Sequence, residues 1–402
     1  MSGIPGYRVE RLPDPEAVGE DATLVEALRD EIRRDGPITF AQFMNRALYE
    51  PGHGYYRRAE PGPGPAGDFI TAPEAHPIFG AAVGRLVAQA WDALGRPGPF
   101  RITEPGAGTG ALATGLLGGL RDDASPMLDA LRYRPLEVEP ARLATLRARL
   151  AADRLDAHLA DDRLPDERVE AGAVIVNEVL DALPVHRVVG RPEGLRELLV
   201  GLDGTGRFAT VEAEPTTPRL AERLVLEGVV LEAGQVTEIC LGIDAWLAGV
   251  ANHLERGVVV LMDYAAEPAA LHGAARPTGT LRAFARHAVG ADPFRHVGRQ
   301  DLTATVDLAA VRAAAARADL APLGETTAGE LLAAVGDDLP SRYLRREGAS
   351  LQDALSLRSA LARLLDPRGL GGFRVLVFGR GVPPDTRLDA LRRIAKPSSG
   401  AR

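Results

Sequence analysis

The chain has 402 residues, 46% of them apolar and 25% charged, with a formal net charge of −8, so it can bury a large core as one elaborated domain or two to three smaller ones. That acidic balance, with no basic stripe, excludes a polyanion-binding surface, and no nucleic-acid partner is expected. Cys240 is the sole cysteine, ruling out an internal disulfide and reading as a buried thiol, and no run reaches signal-peptide or membrane-spanning character, so a cytoplasmic protein without a membrane span is expected.

Thr23 to Arg34 places Leu24, Ala27, Leu28 and Ile32 on one helical face, and Gly36-Pro37 ends it. Ile38 to Tyr49 reads as a second helix with Thr39 as N-cap. The stretch from Glu50 to Pro73 is rich in Gly and Pro yet carries Tyr55, Tyr56 and Phe69, so it is expected to dock rather than to link. Pro77 to Leu94 is helical again.

The stretch RITEPGAGTGAL, from Arg101 to Leu112, is the one around which the chain is organised. A short strand ends in Glu104, glycines recur at 106, 108 and 110, and Leu112, Leu116, Leu117 and Leu120 come after them at helical spacing. Glycine permits positive φ and close approach by a ligand, while the helix start offers free N–H groups, so a nucleotide-like cofactor is expected over Glu104, Gly106, Ala107, Gly108 and Gly110. Dinucleotide loops space their last two glycines by three, whereas here the spacing is two and an acid precedes the first. E-x-G-x-G-x-G resembles the spacing found in methyltransferases that use S-adenosylmethionine, whose ammonium and sulfonium a carboxylate suits better than it suits a pyrophosphate. A purely structural glycine turn is the competing reading.

A second strand is expected at Pro135 to Val138, with Glu137 placed to accept from ribose hydroxyls and Glu139 as its rival. Arg142 to Leu150 reads as a helix, Asp156 to Leu159 as a third strand and Ala171 to Val176 as a buried fourth. Asn177 and Glu178 come next, at the carboxyl end of that strand, where ligands of open α/β sheets bind. Val188 to Glu214 alternates short β-like runs with turns, Ile243 to Leu254 reads as a helix, and a fifth strand runs from Gly257 to Tyr264. Leu308 to Ala318 is helical and Phe373 to Phe378 is the last strand. The organisation expected is an N-terminal helical segment (1–95), a glycine-loop half of the core (96–187), an inserted α+β substrate subdomain (188–255), a second core half (256–390) and a tail (391–402).

GPITFAQFMNRALYEPGHGYY, GDFITAPE, EPGAGTGAL, NEVLDALPVHR, GVVVLMDYA, TLRAFARHAVGADPF, GRQDLTATVD and LLDPRGLGGFRVLVF occur in this order between Gly36 and Phe378. Together they resemble the MidA-type methyltransferases, a bacterial and mitochondrial family associated with assembly of respiratory complex I. The resemblance implies an α/β class I methyltransferase core, Rossmann-like, with a seven-strand sheet ending in an antiparallel hairpin. It also implies methyl transfer from S-adenosylmethionine, and the mitochondrial relatives look like protein arginine methyltransferases acting on a complex I subunit. The chain departs from the family pattern at Thr109, where arginine is frequent, at Gly115 to Gly118, where D-I-L-R is frequent, and at Ala265.

Methyl transfer demands an aligned nucleophile, and an arginine acceptor also needs a carboxylate to orient its guanidinium and take up a proton. Glu178 is the carboxylate expected to do this, with Asn177 holding substrate or cofactor and Asp181 as its partner; the competing reading makes Asn177 and Glu178 a helix cap. Asp68, Phe69, Thr71 and Glu74 are expected to form a lid or acceptor channel, or else to start the next helix. Asp263, Tyr264 and His287 are placed on the acceptor side. With no H-E-x-x-H or C-x-x-C pairing, no metal site is expected. A small-molecule O- or N-methyltransferase and a non-catalytic assembly factor are the alternative functions, and a homodimer is compatible with the sequence.

Overall fold

Ala173 to Val176 and Val258 to Met262, continuous apolar runs in the sequence, lie side by side in parallel and are buried, as strands covered on both faces require. The computed structural model describes residues 18–58, 70–160, 168–273, 275–286, 288–290, 292–383 and 385–391. In chain order, α1 (Ala22–Asp35), α2 (Phe40–Tyr49), α3 (Ala72–Ala75) and α4 (Pro77–Ala93) lead to β1 (Phe100–Pro105) and, through the glycine turn, to α5 (Ala111–Asp122). Next come α6 (Met127–Ala130), β2 (Leu131–Leu136), α7 (Pro140–Ala152) and β3 (Val169–Asn177). β4 (His186–Arg191), β5 (Gly194–Leu202), β6 (Phe208–Ala213), α8 (Arg219–Leu226), β7 (Val236–Ile239) and α9 (Ile243–His253) precede β8 (Leu254–Asp263). Short elements succeed it: β9 (Ala265–Ala266), α10 (Pro268–Leu271), β10 (Arg282–Ala285), β11 (Ala288–Gly290), β12 (Asp301–Thr303) and β13 (Val306–Asp307). The chain closes with α11 (Leu308–Arg317), β14 (Ala321–Thr327), α12 (Ala328–Val335), α13 (Leu339–Arg345), α14 (Leu351–Leu364) and β15 (Arg374–Arg380).

The central sheet has the order β14-β15-β8-β3-β1-β2, parallel from β8 to β2 and antiparallel at β15 and β14. Six strands are present among the described residues, and the expected seven-strand sheet is corrected on this point. At the expected third strand, Asp156–His158 is a single 3-10 turn and Leu159 makes one isolated parallel bridge to Tyr133; three polar or small residues give a strand nothing to bury. The second strand is also displaced, beginning at Leu131 rather than Pro135, in register with β1 from Phe100↔Leu131 to Pro105↔Leu136. Leu131 and Tyr133 face inward between Arg132 and Arg134, which masked the alternation. The C-terminal antiparallel pair is present, but α12 to α14 intervene between its strands, so it is not a tight hairpin.

β6, β5, β4 and β7 form a separate antiparallel sheet. Helices α1 and α2 join it rather than the central sheet: Ile38 bridges Val200, and Phe43 packs edge-on against Phe208 and Phe294 with ring centroids 5.5 and 5.4 Å away. Thr39 caps α2 as expected, accepting from the Gln42 N–H at 3.1 Å. The largest core lies between α4, α5 and the central sheet. There α4 and α5 cross almost backbone to backbone, since a Cβ on Gly80 would stand 2.8 Å from the Gly115 Cα and one on Gly119 would stand 2.5 Å from the Ala81 Cβ. That contact accounts for glycine at 115, where the chain departs from the pattern of the family it resembles.

Candidate active site

The sheet order reverses at β1, which lies between β2 and β3, so a crevice opens beyond the carboxyl ends of β1 and β3. The glycine turn lines it. The Gly106 and Ala107 N–H groups donate to the Leu136 carbonyl at 2.8 and 3.1 Å, tying the turn to the end of β2. All three glycines have positive φ, at 70°, 52° and 84°, but they differ in what a side chain would meet. A Cβ at Gly106 would stand 2.9 Å from Val179 and one at Gly110 2.6 Å from Leu146, whereas one at Gly108 would meet nothing within 4 Å. Gly106 and Gly110 are therefore closely packed, and Gly108 alone of the three faces open space.

The Gly108 N–H donates to Glu137 Oε2 at 2.9 Å, and the Glu139 N–H to Glu137 Oε1 at 3.1 Å. Glu139 itself caps α7, accepting from the Ala141 N–H at 3.3 Å. Glu137 thus lines the crevice and its rival is a helix cap. Glu104, 3% exposed, accepts from the Tyr133 hydroxyl at 2.7 Å. Burial, opposed by that hydrogen bond and assisted by Glu137, pushes its carboxyl up to about 8.

Opposite the glycines, β3 ends in Asn177 and a tight turn. Glu178 has φ 54°, an uncommon conformation for a side-chain-bearing residue. The turn is pinned by Asp263, whose carboxylate accepts from the N–H groups of Val179, Leu180 and Tyr264 at 3.2, 2.9 and 2.8 Å. Glu178 lines the crevice and accepts from the Ala72 N–H at 3.2 Å and the Asn177 amide at 3.1 Å. Burial, with Asp263 nearby, pushes Glu178 up to about 8; burial together with Asp263, Asp301 and Glu178 raises Asp181 well above the carboxylate range. Asn177 Oδ1 is buried without a hydrogen-bond partner among the described residues.

Tyr49, Tyr56, Thr71, Pro73, Glu74, Arg142 and Trp246 complete the wall of a cleft of about 590 Å³. Tyr49 and Tyr56 stack at 5.6 Å, and the Tyr49 hydroxyl donates to the Ala182 carbonyl at 2.9 Å. Glu74 accepts from the Thr109 hydroxyl at 2.8 Å, which gives the departure at Thr109 a role in joining α3 to the glycine turn. The sequence signals Tyr56 through its aromatic Gly/Pro-rich stretch; Tyr49, Arg142 and Trp246 read there only as ordinary helix residues.

Several expected positions do not line this cleft. Asp263 is a buried support of the Glu178 turn rather than an acceptor contact. Tyr264 packs edge-on against Phe373 at 5.9 Å with the Arg282 guanidinium 5.7 Å from its ring centroid. Asp181 is not on the cleft wall, and its carboxyl sits within reach of Asp263 and Asp301. Asp68, Phe69 and His287 lie outside the described residues. Among the histidines, His76 caps α4 through Nδ1, while His53 and His186 face Asp21 and Glu197.

A doubly flanked, mostly parallel sheet with a glycine turn and acids at both strand ends is the cofactor site of an α/β transferase. The family model described as "Putative S-adenosyl-L-methionine-dependent methyltransferase" matches residues 82–326, and the chain belongs to that family. The protein is a methyltransferase whose donor is S-adenosylmethionine. The chain is 29% identical over 386 residues to the mitochondrial protein arginine methyltransferase NDUFAF7 homolog of Drosophila melanogaster, covering 90% of this chain and 85% of that protein. It is 25% identical to the human mitochondrial protein arginine methyltransferase NDUFAF7, covering 87% and 81%. A Burkholderia thailandensis protein, crystallised with S-adenosyl-homocysteine bound, superposes with a TM-score of 0.82 and 34% identity over 95% of this chain and 98% of that one. The expectation of a cytoplasmic protein is corrected by the mitochondrial relatives: a lone cysteine cannot form an internal disulfide in any compartment and so does not tell one from another. No helix among the described residues is long and apolar enough to cross a membrane.

Proposed function

We propose that this methyltransferase acts on an arginine side chain of a protein, and that Glu178 is its catalytic carboxylate. The observation that carries this reading is the setting of Glu178: it lines the cleft, its carboxylate is held by Ala72 and Asn177, and burial with Asp263 and Asp301 nearby disfavours its charge in the absence of a cation. A buried group of acids costs free energy unless a cation joins it. A guanidinium is a planar cation that a carboxylate holds by two parallel hydrogen bonds. The mitochondrial relatives carry the name protein arginine methyltransferase, which favours the same acceptor, and the family resemblance directs it to a subunit of respiratory complex I.

The residues present fit the donor. Gly108 leaves room for close approach, Glu104 and Glu137 offer carboxylates, and the orphaned Asn177 Oδ1 offers an acceptor for a donor group such as an ammonium. S-adenosylmethionine supplies a methyl group on a positively charged sulfur. Glu104, Gly106, Ala107, Gly108, Gly110, Glu137 and Asn177 hold it, while Tyr49, Tyr56 and Trp246 exclude water from the cleft. Glu178 orients the guanidinium and takes the proton its nitrogen gives up, while Asp181, held neutral by burial and the neighbouring acids, stands behind the turn. Thr71 and Glu74 close the donor side, and residues 188–255 recognise the acceptor protein.

The test incubates the protein with methyl-tritiated S-adenosylmethionine and an extract from cells lacking this protein, with methylarginine then identified by mass spectrometry. Label in acid-precipitable protein as methylarginine, lost in Glu178→Gln, is expected. Label confined to small molecules, or retained in Glu178→Gln, overturns the proposal.

A further inference from the structure

The turn that carries Glu178 borders a second void, of about 30 Å³, whose lining includes Leu180, Val185, Glu227, His272 and Asp307. That volume is about two water-sized spheres. Arg223, Glu238, Cys240 and Thr305 also line it, and three of its polar groups come together from separate segments: Glu227 lies just past α8, His272 just past α10, and Asp307 caps α11. The side chains of Glu227 and His272 are 6% and 4% exposed. Among the described residues, neither carboxylate oxygen of Glu227 has a hydrogen-bond partner, nor does His272 Nε2. Leaving such groups unsatisfied is expensive, and native chains rarely do it without an occupant.

The three groups are aimed at one point. His272 Nδ1 lies 2.7 Å from the Thr237 hydroxyl, which leaves Nε2 facing Glu227 Oε2 at 3.5 Å and Asp307 Oδ2 at 3.8 Å. Asp307 spends its other oxygen on the Ala309 and Ala310 N–H groups at 2.8 and 3.1 Å, so Oδ2 is the one left over. All three prospective ligand atoms lie within 4.8 Å of one another. Two ligands each about 2.0–2.2 Å from one ion, at tetrahedral to trigonal angles, stand about 3.2–3.8 Å apart. Arg223 makes a long ion pair with Glu227 Oε1 at 3.9 Å and a nearer one with Asp244 at 3.1 Å, so it offsets the Glu227 charge only in part and approaches the oxygen turned away from His272.

We propose that Glu227, His272 and Asp307 form a site for one divalent ion of the zinc class, bound through His272 Nε2 and one oxygen of each carboxylate, with water completing its shell. One imidazole and two carboxylates suit zinc, cobalt or manganese better than magnesium, which prefers oxygen alone. The Thr237 contact at Nδ1 is the outer hydrogen bond that fixes the tautomer of a ligating histidine. An ion there ties the end of α8 to the start of α11 beside the Glu178 turn. In the metal-free chain burial would lower the His272 pKa, but Asp307 and Glu227 raise it to about 9, so the ion displaces a proton.

The experiment uses the full chain without an affinity tag, stripped by chelator, and titrates ZnCl2 calorimetrically into the wild type, Glu227→Gln and Asp307→Asn; both changes keep volume, and Asn keeps the helix cap. One equivalent of zinc in the wild type, bound at least about tenfold more weakly by each variant and not displaced by excess MgCl2, is the expected result, with a zinc-dependent rise in Tm in the wild type alone. Cobalt in place of zinc gives visible absorption from a nitrogen-ligated low-coordinate site, a readout on the wild type that does not depend on how the variants fold. No saturable equivalent in the wild type, equal affinity in all three chains, or cobalt with the spectrum of the aqueous ion overturns the proposal.

Discussion

The Ala72 N–H donates to the Glu178 carboxylate across 3.2 Å, joining the first turn of α3 to the end of β3. The bond stabilises the charged carboxylate against a burial penalty that pushes Glu178 up to about 8. The segment that precedes the core thereby tunes a group that the core presents.

A pH profile reads that tuning. Glu178 takes up a proton only when ionised, so kcat should fall as pH drops through about 8. Asn177→Ala removes a hydrogen bond to the charged form at 3.1 Å and should move this acidic limb to higher pH. An unchanged limb in the variant would show that some other group titrates.

Gly108→Val tests the open turn. At φ 52° a β-branched residue is strained by about 1–3 kcal/mol, and its side chain enters the space beside Glu137. Calorimetric binding of S-adenosylhomocysteine should weaken by at least about tenfold, since 1.4 kcal/mol is a factor of about 10. Retained affinity would place the cofactor elsewhere.

The crossing of α4 and α5 predicts a stability loss. A Cβ at Gly115 would stand 2.7 Å from the Pro77 carbonyl oxygen, and backbone cannot yield as a side chain does. Gly115→Val should cost about 1–3 kcal/mol or more in denaturant unfolding. A change of only a few tenths would mean that the helices slide apart freely.

Glu104 predicts how stability varies with pH. Its folded-state pKa, about 8, exceeds the ordinary value of 4.5. The folded state therefore binds the extra proton, and this contribution is fully present below about 4.5 and lost as pH rises through about 8. Glu104→Gln should flatten the fall in Tm between about pH 5 and 9 while leaving the part due to Glu178 and Asp181. An identical slope would show that Glu104 is already ionised in the folded chain.

The legible part of this protein was local. Alternating glycines after an acid announced the turn, the β-branched runs at 171–176 and 257–263 announced buried parallel strands, and Asn177 and Glu178 were placed by the rule that ligands bind at strand ends. Each signal lies within a dozen residues, where spacing and backbone preference decide the outcome. The tertiary structure alone decided that Asp263 supports the Glu178 turn instead of facing the cleft, that Tyr49, Arg142 and Trp246 form its wall, and that a third strand shrinks to one bridge at Leu159. It alone brought Glu227, His272 and Asp307 around one void from three segments with no ligand spacing to read. The reason is physical: which side chains meet is set by how elements pack, and packing joins residues whose separation along the chain carries no pattern.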